Sequence, residues 1–301
     1  MSFAISEPQH IEDELRKIVR RQLRKTSRTL DGEGGSNLRT AVHQSRRSLK
    51  KVRAVAGCLK DAGAKLPRKD RKQLKSAARA LSRLRDSAAI IDTFDRVRRR
   101  YPKALPEHTY ALLRRGLVAD RDRQEARARR EGVIANVVQR LERTRPSVKK
   151  WGSPSIDLAD MTEIVGASYR RSRRTMEHAR TTGQSATVHR WRKDLKTLWY
   201  QLRLVAPLAT GVQSLVGEIK QLETELGDEH NLVVLAATLR GCRDLRSLGT
   251  DIRRVDQSAA RMRRRLRKRA FALGGRLHVR TPEKFTRWLR SASKQARRQA
   301  A

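Results

Sequence analysis

Residues 188–196 read VHRWRKDLK and residues 42–50 read VHQSRRSLK, so one histidine-containing pattern occurs twice in the chain. In each copy, cations follow the histidine at the third, fourth and seventh positions. At about 100° per residue, an α-helix brings these four side chains within an arc of about 100°. Each copy therefore predicts a helix with a continuous basic stripe and favours an anionic ligand. The residues are His43, Arg46, Arg47 and Lys50 in the first copy, and His189, Arg192, Lys193 and Lys196 in the second.

The face opposite each histidine is apolar, which is typical of a helix that packs against others. The second basic stripe is the longer one, because Tyr200 and Arg203 fall within its arc, whereas Ala54 stands where Tyr200 would be in the first copy. The second copy is therefore the stronger candidate of the two. The apolar residues are Leu49, Val52, Ala56 and Leu59 in the first copy, and Trp191, Leu195, Leu198, Leu202 and Val205 in the second.

The charge of the chain is strongly one-sided. Its 301 residues include 71 Lys and Arg but only 31 Asp and Glu, which gives a formal net charge of +40. Self-repulsion on this scale destabilises a compact state, so the composition favours a polyanionic partner: nucleic acid, an anionic membrane or an inorganic polyanion. No apolar run approaches the roughly 20 residues that span a bilayer, and the first residues do not resemble a secretory signal. We expect a cytoplasmic protein without membrane insertion, with Cys58 and Cys242 as core thiols.

Apolar residues recur three and four positions apart throughout, and no segment alternates with period two, so the sequence predicts an all-α fold. A breaker-rich stretch at 145–155 divides the chain into two predicted four-helix repeats, residues 8–147 and 155–292, the second with an added closing helix. The predicted helices cover residues 8–30, 37–60, 67–98 and 106–143, then 158–182, 186–206, 211–243 and 250–273, with the closing helix from 281.

A second landmark repeats in the same order as the first. Leu84-Arg85-Asp86 follows the first histidine helix, and Leu226-Gly227-Asp228 follows the second. Two landmarks in one order indicate an internal duplication. Both aspartates are predicted to be structural, since an acid facing a phosphate ligand would repel it, whereas it can orient a cation or cap a backbone NH.

These motifs together resemble the CHAD family of α-helical domains with conserved histidines. The resemblance rests on HxxRKxxKxxxY at 189–200, its partner at 43–50, the two aspartate corners and PxxFxxWL at 282–289, and it covers about residues 8–292 as one domain. It implies two four-helix bundles related by pseudo-twofold symmetry around a basic central groove or pore. It also implies binding of inorganic polyphosphate and association with polyphosphate granules.

The resemblance assigns polyphosphate contacts to the histidine and three cations of each stripe, and the longer second stripe adds Tyr200 and Arg203. Twelve further cations are candidates for extending the groove, on the predicted first, third and fifth helices. They are Arg20, Arg21, Arg24, Arg28, Lys72, Lys75, Arg79, Arg83, Arg170, Arg171, Arg173 and Arg174.

The sequence does not predict an enzyme, a metal or a cofactor. Glu225, Asp228, Glu229 and His230 superficially resemble a metal-binding run, but without a second ligand group they are better interpreted as a polar helix segment. Nonspecific nucleic-acid binding is the main alternative, since a charge of +40 attracts any phosphate polymer at low salt. Single-strand binders interleave aromatics with cations, and this chain has only 4% aromatic residues. A polyphosphate-cleaving enzyme and a membrane-surface protein are weaker alternatives.

Overall fold

A computed structural model describes residues 3–33, 35, 37–152 and 155–300. Within the helices and turns of these ranges, a few side chains lie outside the description: those of Arg83, residues 85–88, Arg243, Asp244, Arg246 and Ala300. The predicted groove role of Arg83 and the predicted structural role of Asp86 therefore fall outside the described residues.

The described part of the chain is all-helical, as the periodicity predicts. Among the described residues, no helix combines the length and the apolar character needed to cross a membrane. The described residues form ten α-helices, which are joined by short loops and 3-10 turns. They are α1 (Ile11–Leu30), α2 (Leu38–Asp61), α3 (Arg68–Arg100), α4 (Glu107–Arg130), α5 (Val133–Ser147), α6 (Leu158–Thr182), α7 (Ser185–Val205), α8 (Val212–Gly241), α9 (Gly249–Leu277) and α10 (Pro282–Ala300).

Local signals start the two histidine helices. The Asn37 side chain accepts a hydrogen bond from the backbone NH of Thr40 at 3.0 Å and thereby caps α2. Before α7, Gly183 ends α6 with a left-handed backbone at φ 62°, which glycine adopts without a steric penalty. The turn is short, so α6 and α7 pack directly against each other.

The predicted single helix at 106–143 is wrong, because the structure breaks it into α4 and α5. Gly132 lies between them with φ 59°, a left-handed conformation that a right-handed helix cannot continue through. The described part of the first half therefore contains five α-helices and not the predicted four. Since α5 packs on α1 as α10 packs on α6, the predicted closing helix has a counterpart in the first half.

The packing order of the helices repeats between the two halves. In the first half α1 packs on α2 and α3 on α4, and in the second α6 packs on α7 and α8 on α9. The halves meet mainly where α3 contacts α8 and where α2 contacts α7. Both histidine helices and the helix that follows each of them consequently lie at the junction.

Two hydrophobic cores form, and each takes side chains from both halves. The larger contains Trp151 and Trp191 and collects residues from α1, α2, α5, α6, α7 and α10, with the N-terminal parts of α3 and α8. The smaller core joins the C-terminal parts of α3 and α8 to α4 and α9. It includes Phe94, whose ring stacks on that of Tyr110 with the ring centroids 5.3 Å apart. The cores therefore do not follow the repeat boundary in the sequence.

A short N-terminal segment ahead of α1 packs on α7, which the sequence pattern did not predict. The backbone NH of Ile5 donates to the carbonyl of Leu204 at 2.9 Å, and both Phe3 and Ile5 are buried. The Phe3 ring meets the Tyr200 ring edge-on at 5.8 Å. The segment thus covers the C-terminal end of the second basic stripe.

Candidate anion-binding site

A cavity of about 400 Å³ lies at the junction of the two halves, walled by α2, α3, α7 and α8. Among the described residues, its wall contains six cations, two histidines and one carboxylate. The cations are Arg46, Lys50, Arg53, Arg192, Lys193 and Lys196; the histidines are His189 and His230; the carboxylate is Asp194. Charge of one sign is therefore concentrated in one concave space that neither half forms alone.

The cavity brings together seven of the ten residues predicted from the two stripes. These are Arg46, Lys50, His189, Arg192, Lys193, Lys196 and Tyr200. The described lining does not include His43 or Arg47, which are exposed on α2, or Arg203. The second stripe thus contributes more of the wall than the first.

His189 and His230 form a ring pair inside the cavity, with centroids 4.2 Å apart and planes inclined by 30°. Burial, and then the charges of Arg192 and Lys193, lower the pKa of His189. Burial and the neighbouring cations lower the pKa of His230 to about 3. Both imidazoles are therefore neutral at pH 7, and each can donate one hydrogen bond without adding charge.

A buried carboxylate, Glu223 on α8, lies behind the second stripe. Its Oε1 accepts a short hydrogen bond from Lys196 and lies 3.9 Å from Arg192 Nη2, while its Oε2 accepts from Lys220 Nζ at 3.0 Å. Burial opposes ionisation of Glu223, but Lys196 and Lys220 outweigh it and lower its pKa to about 2. Glu223 is therefore ionised and anchors cations of the cavity wall.

The first stripe is anchored differently. Arg46 Nη1 donates to the backbone carbonyl of Leu81 on α3 at 3.2 Å. When Asp86 is aligned with Asp228, Leu81 stands where Glu223 stands in the second half. Among the described contacts, Arg46 thus donates to a backbone carbonyl, whereas the equivalent Arg192 lies beside a carboxylate.

The C-terminal end of the second stripe is partly occupied by aromatic packing. Tyr200 is 3% exposed, and burial together with Glu223 raises its pKa to about 12. The Arg203 guanidinium lies 4.8 Å from the Trp199 ring and 5.4 Å from the Phe3 ring. These distances are typical of cation–π contacts, so Arg203 packs on aromatic rings rather than lining the cavity.

Of the twelve further candidate cations, none belongs to the described lining of this cavity. Arg21, Arg24 and Arg28 line a separate open depression beside α1. The other residues of that depression are Lys25, Thr29, Glu33 and Gln44. Arg20 is partly buried on α1, and on α3 Lys72, Lys75 and Arg79 are exposed.

The candidate cations of α6 engage in local contacts. Arg173 Nε donates to Glu177 at 3.3 Å, and Arg170 lies 4.0 Å from Glu283. Arg171 Nη2 donates to the Ser168 hydroxyl at 2.9 Å. Arg174 is exposed. The structure therefore gathers the basic stripes of α2 and α7 at the cavity but not the cations of α1 and α6.

The acidic side chains of the run on α8 pair with cations of different helices. Asp228 accepts from Arg96 of α3 at 2.8 Å, which links the two halves. The buried Glu229 instead accepts from two arginines of α9, and Glu225 pairs with Arg269 at 3.0 Å. Within the described part of the chain, no three potential ligand side chains cluster in a way that would hold a metal ion.

Sequence reasoning missed Arg53, His230 and Glu223 as parts of the site. A signal existed for Arg53, which lies three positions after Lys50 and extends the stripe by one turn. The sequence presents His230 only as the last residue of the acidic run. Nothing in the pattern of α8 indicated that Glu223 faces the cations of α7, because this depends on how two helices pack.

Comparison with known proteins assigns the fold. The family model of the CHAD domain matches residues 17–240, about three quarters of the chain. The chain belongs to the CHAD family. Its structure is similar to the crystal structure of the CHAD domain from the plant Ricinus communis, with a TM-score of 0.69 and 16% sequence identity over 94% of this chain and 96% of that one. This likeness concerns the fold, and no curated protein matches the sequence significantly.

Proposed function

We propose that this CHAD protein binds inorganic polyphosphate in the cavity between α2, α3, α7 and α8. The family is associated in general with polyphosphate binding. The observation that carries the proposal is the wall itself, where cations from both halves outnumber carboxylates six to one among the described lining residues. An anionic polymer passing through this space would be contacted from both sides, as expected of the basic central groove that the resemblance implies.

The chemistry of the wall suits phosphate oxygens. Arginine offers paired NH donors to two oxygens, and lysine acts as a mobile point charge. The neutral His189 and His230 add donors without increasing repulsion in the empty cavity. Polyphosphate carries a charge on every unit and has no bases. Cations and NH donors are therefore the groups that can bind it.

Nucleic acid is the less favoured ligand. Proteins that hold single strands stack bases on exposed aromatic faces. The described wall contains one phenol ring, that of Tyr200, which already packs against Phe3 and Trp199. The cavity therefore supplies charge rather than base-stacking surfaces.

We further propose that the protein is a receptor and not an enzyme, and that binding places it on cytoplasmic polyphosphate granules. Support comes from the lining, which is dominated by groups that donate to phosphate oxygens and so suits holding an intact polymer. A turnover assay with long-chain polyphosphate, with and without divalent cations, tests this part. Release of orthophosphate that depends on the cavity cations would contradict it.

The binding proposal is tested by titrating the protein with long-chain polyphosphate and with duplex DNA at several salt concentrations. A triple variant, Arg46→Ala, Lys50→Ala and Lys193→Ala, removes cations from both walls and leaves the Glu223 contacts in place. Its matched control removes three exposed cations of α9, through Arg264→Ala, Arg265→Ala and Lys268→Ala. We expect the cavity variant to lose roughly a hundredfold in affinity for polyphosphate and the control to lose little.

Two results would contradict the binding proposal. One is a wild-type protein that does not prefer polyphosphate to DNA at physiological salt. The other is an equal loss of affinity in the cavity variant and in the α9 control, which would indicate attraction by overall charge rather than by a site.

A further inference from the structure

Glu223 forms an unusual arrangement behind the cavity wall, since one buried carboxylate serves three cations. The two carboxylate oxygens of Glu223 contact different cations. Oε2 accepts from the exposed Lys220. Oε1 faces Lys196 and Arg192, both of which line the cavity. The Glu223 side chain is 8% exposed and that of Lys196 is 18% exposed. With three positive charges around one negative charge, the cluster remains net positive toward the ligand space.

A buried ammonium group is costly unless a counter-charge accompanies it, because burial favours the neutral amine. Lys196 is subject to this cost, and burial lowers its pKa while Glu223 acts in the opposite direction. Arg192 and Lys220 add repulsion. Without Glu223, the described surroundings of Lys196 would disfavour its charged form.

We propose that Glu223 is a positioning residue for the ligand site: its carboxylate fixes Lys196 and Arg192 in the cavity wall and keeps Lys196 charged for contact with phosphate. This inference rests on the proposed polyphosphate function. In the first half, Leu81 occupies the position equivalent to Glu223 and supplies a backbone carbonyl to Arg46.

The charged and titratable groups that share the surroundings of Lys196 come from several elements. α7 contributes Arg192, Lys193, Asp194, His189 and Tyr200, and α8 contributes Glu223, Lys220 and His230. α2 contributes Arg46, Lys50 and Arg53, while the described wall residues of α3 are uncharged. Among those α8 groups, Glu223 is the carboxylate whose charge opposes loss of the Lys196 proton.

The first test needs no ligand. In protein labelled with ¹³C-lysine, the side-chain NMR signal of Lys196 is assigned through Lys196→Arg and titrated with pH in wild type and in Glu223→Gln. We expect Lys196 to titrate at lower pH in Glu223→Gln. The control, Glu218→Gln, removes an exposed carboxylate of the same helix and should leave the titration of Lys196 unchanged. An unchanged midpoint in Glu223→Gln would overturn the inference.

The second test measures polyphosphate affinity from pH 7 to pH 9 as the ratio of Glu223→Gln to wild type. The ratio is needed because Lys51 titrates in both proteins. Burial and neighbouring cations lower the pKa of Lys51 to about 8. We expect the ratio to fall roughly tenfold across whatever part of this range the NMR titration shows Lys196 losing its proton in the variant. Adding Lys196→Arg to Glu223→Gln should restore a flat ratio, since arginine stays protonated.

Each remaining outcome has a definite meaning. If Glu223→Gln binds polyphosphate more tightly at every pH, Glu223 competes with the ligand and the positioning role is overturned. If it binds more weakly by the same factor at every pH and Lys196→Arg restores nothing, its effect is purely structural, which also overturns the role. If the NMR midpoint moves but wild type does not bind polyphosphate, the proposed function fails while the control of the Lys196 charge by Glu223 stands.

Discussion

The two histidine helices carry nearly the same pattern but have different surroundings. On α7, His189 faces the cavity and pairs with His230, whereas on α2 the equivalent His43 is exposed and outside the described lining. Behind the stripes, Glu223 faces Arg192 where Leu81 faces Arg46. The same residues at the same helical phase therefore place a histidine against the cavity in one half and at the exposed surface in the other.

The difference shows how a duplicated motif becomes specialised. The pattern determines which side chains share a face, but neighbouring helices determine which part of that face is enclosed. Two residues outside the motif contact the stripe of α7: Glu223 of α8 accepts from Lys196, and Phe3 packs on Tyr200. Changes outside the motif should therefore distinguish the halves more sharply than changes within it.

The largest effect should come from making the second half resemble the first with Glu223→Leu. Removing one partner of a buried ion cluster leaves its cations uncompensated, so we expect a loss of about 3 kcal/mol in the free energy of unfolding at pH 7. Urea denaturation followed by circular dichroism measures it. The exposed Glu218→Leu serves as the control and should change the free energy by less than about 0.5 kcal/mol.

The difference in stability between wild type and Glu223→Leu should depend on pH. The pKa of Glu223 is lowered in the folded protein to about 2, from an ordinary value of 4.5. Its contribution to stability is therefore present above pH 4.5 and is lost as the pH falls toward 2. The stability gap between wild type and Glu223→Leu should close over this interval, and a constant gap would show that the charge of Glu223 is not responsible.

The next effect compares equivalent cations, Lys193 and Arg47, of which only Lys193 belongs to the described lining of the cavity. We expect Lys193→Ala to weaken polyphosphate binding roughly tenfold, because a charge-assisted hydrogen bond is lost. Arg47→Ala removes the same charge and should cost less than about twofold. Isothermal titration calorimetry at fixed salt measures both. Equal losses would move the binding surface away from the cavity.

A smaller effect distinguishes the two histidines. His189 is neutral in the free protein because burial and the nearby cations lower its pKa, and a bound polyanion should raise that pKa again. The complex then takes up a proton, so affinity for polyphosphate should rise by roughly threefold as the pH falls from 7.5 to 5.5. His189→Gln should reduce this rise and His43→Gln should not. Identical pH profiles in the two variants would contradict the assignment.

The smallest effect concerns Lys51, which stands where Thr197 stands in the second half. Burial, and then the charges of Arg203, Lys25, Arg47 and Arg21, lower the Lys51 pKa to about 8. The folded protein then binds fewer protons than the unfolded chain above pH 8, so stability should rise as the pH increases from 8 toward 10.5. Solvent screening keeps this contribution small, because Lys51 is only partly buried. Thermal denaturation should show this contribution in wild type but not in Lys51→Thr, and its persistence in the variant would assign it to another group.

Much of the helical fold was predictable because apolar spacing marks the buried face of each helix. The exception, the break at Gly132, was missed because a single glycine within an arginine- and alanine-rich stretch is a weak signal. The left-handed backbone at this position, rather than the composition around it, separates α4 from α5. The burial of Phe3 was missed for another reason, since a three-residue segment is too short to show a period.

The candidate site was predictable as two stripes but not as a cavity. The helical arcs of His43 and His189 are the same, so the pattern contains no information about which histidine becomes enclosed. That depends on the neighbouring helix, since His189 lies against His230 of α8. Glu223 lies 27 residues after Lys196, and their contact depends on the register between two helices, which helical periodicity does not specify.

The sharing of both hydrophobic cores has a consequence for the origin of the chain. A polypeptide containing only the first half would leave apolar side chains of α3, such as Ile90 and Phe94, without the α8 and α9 residues that cover them here. Burying that surface would require a second copy. An ancestor with a single half is therefore expected to have been an obligate homodimer, and fusing its subunits freed each copy of the motif to diverge independently.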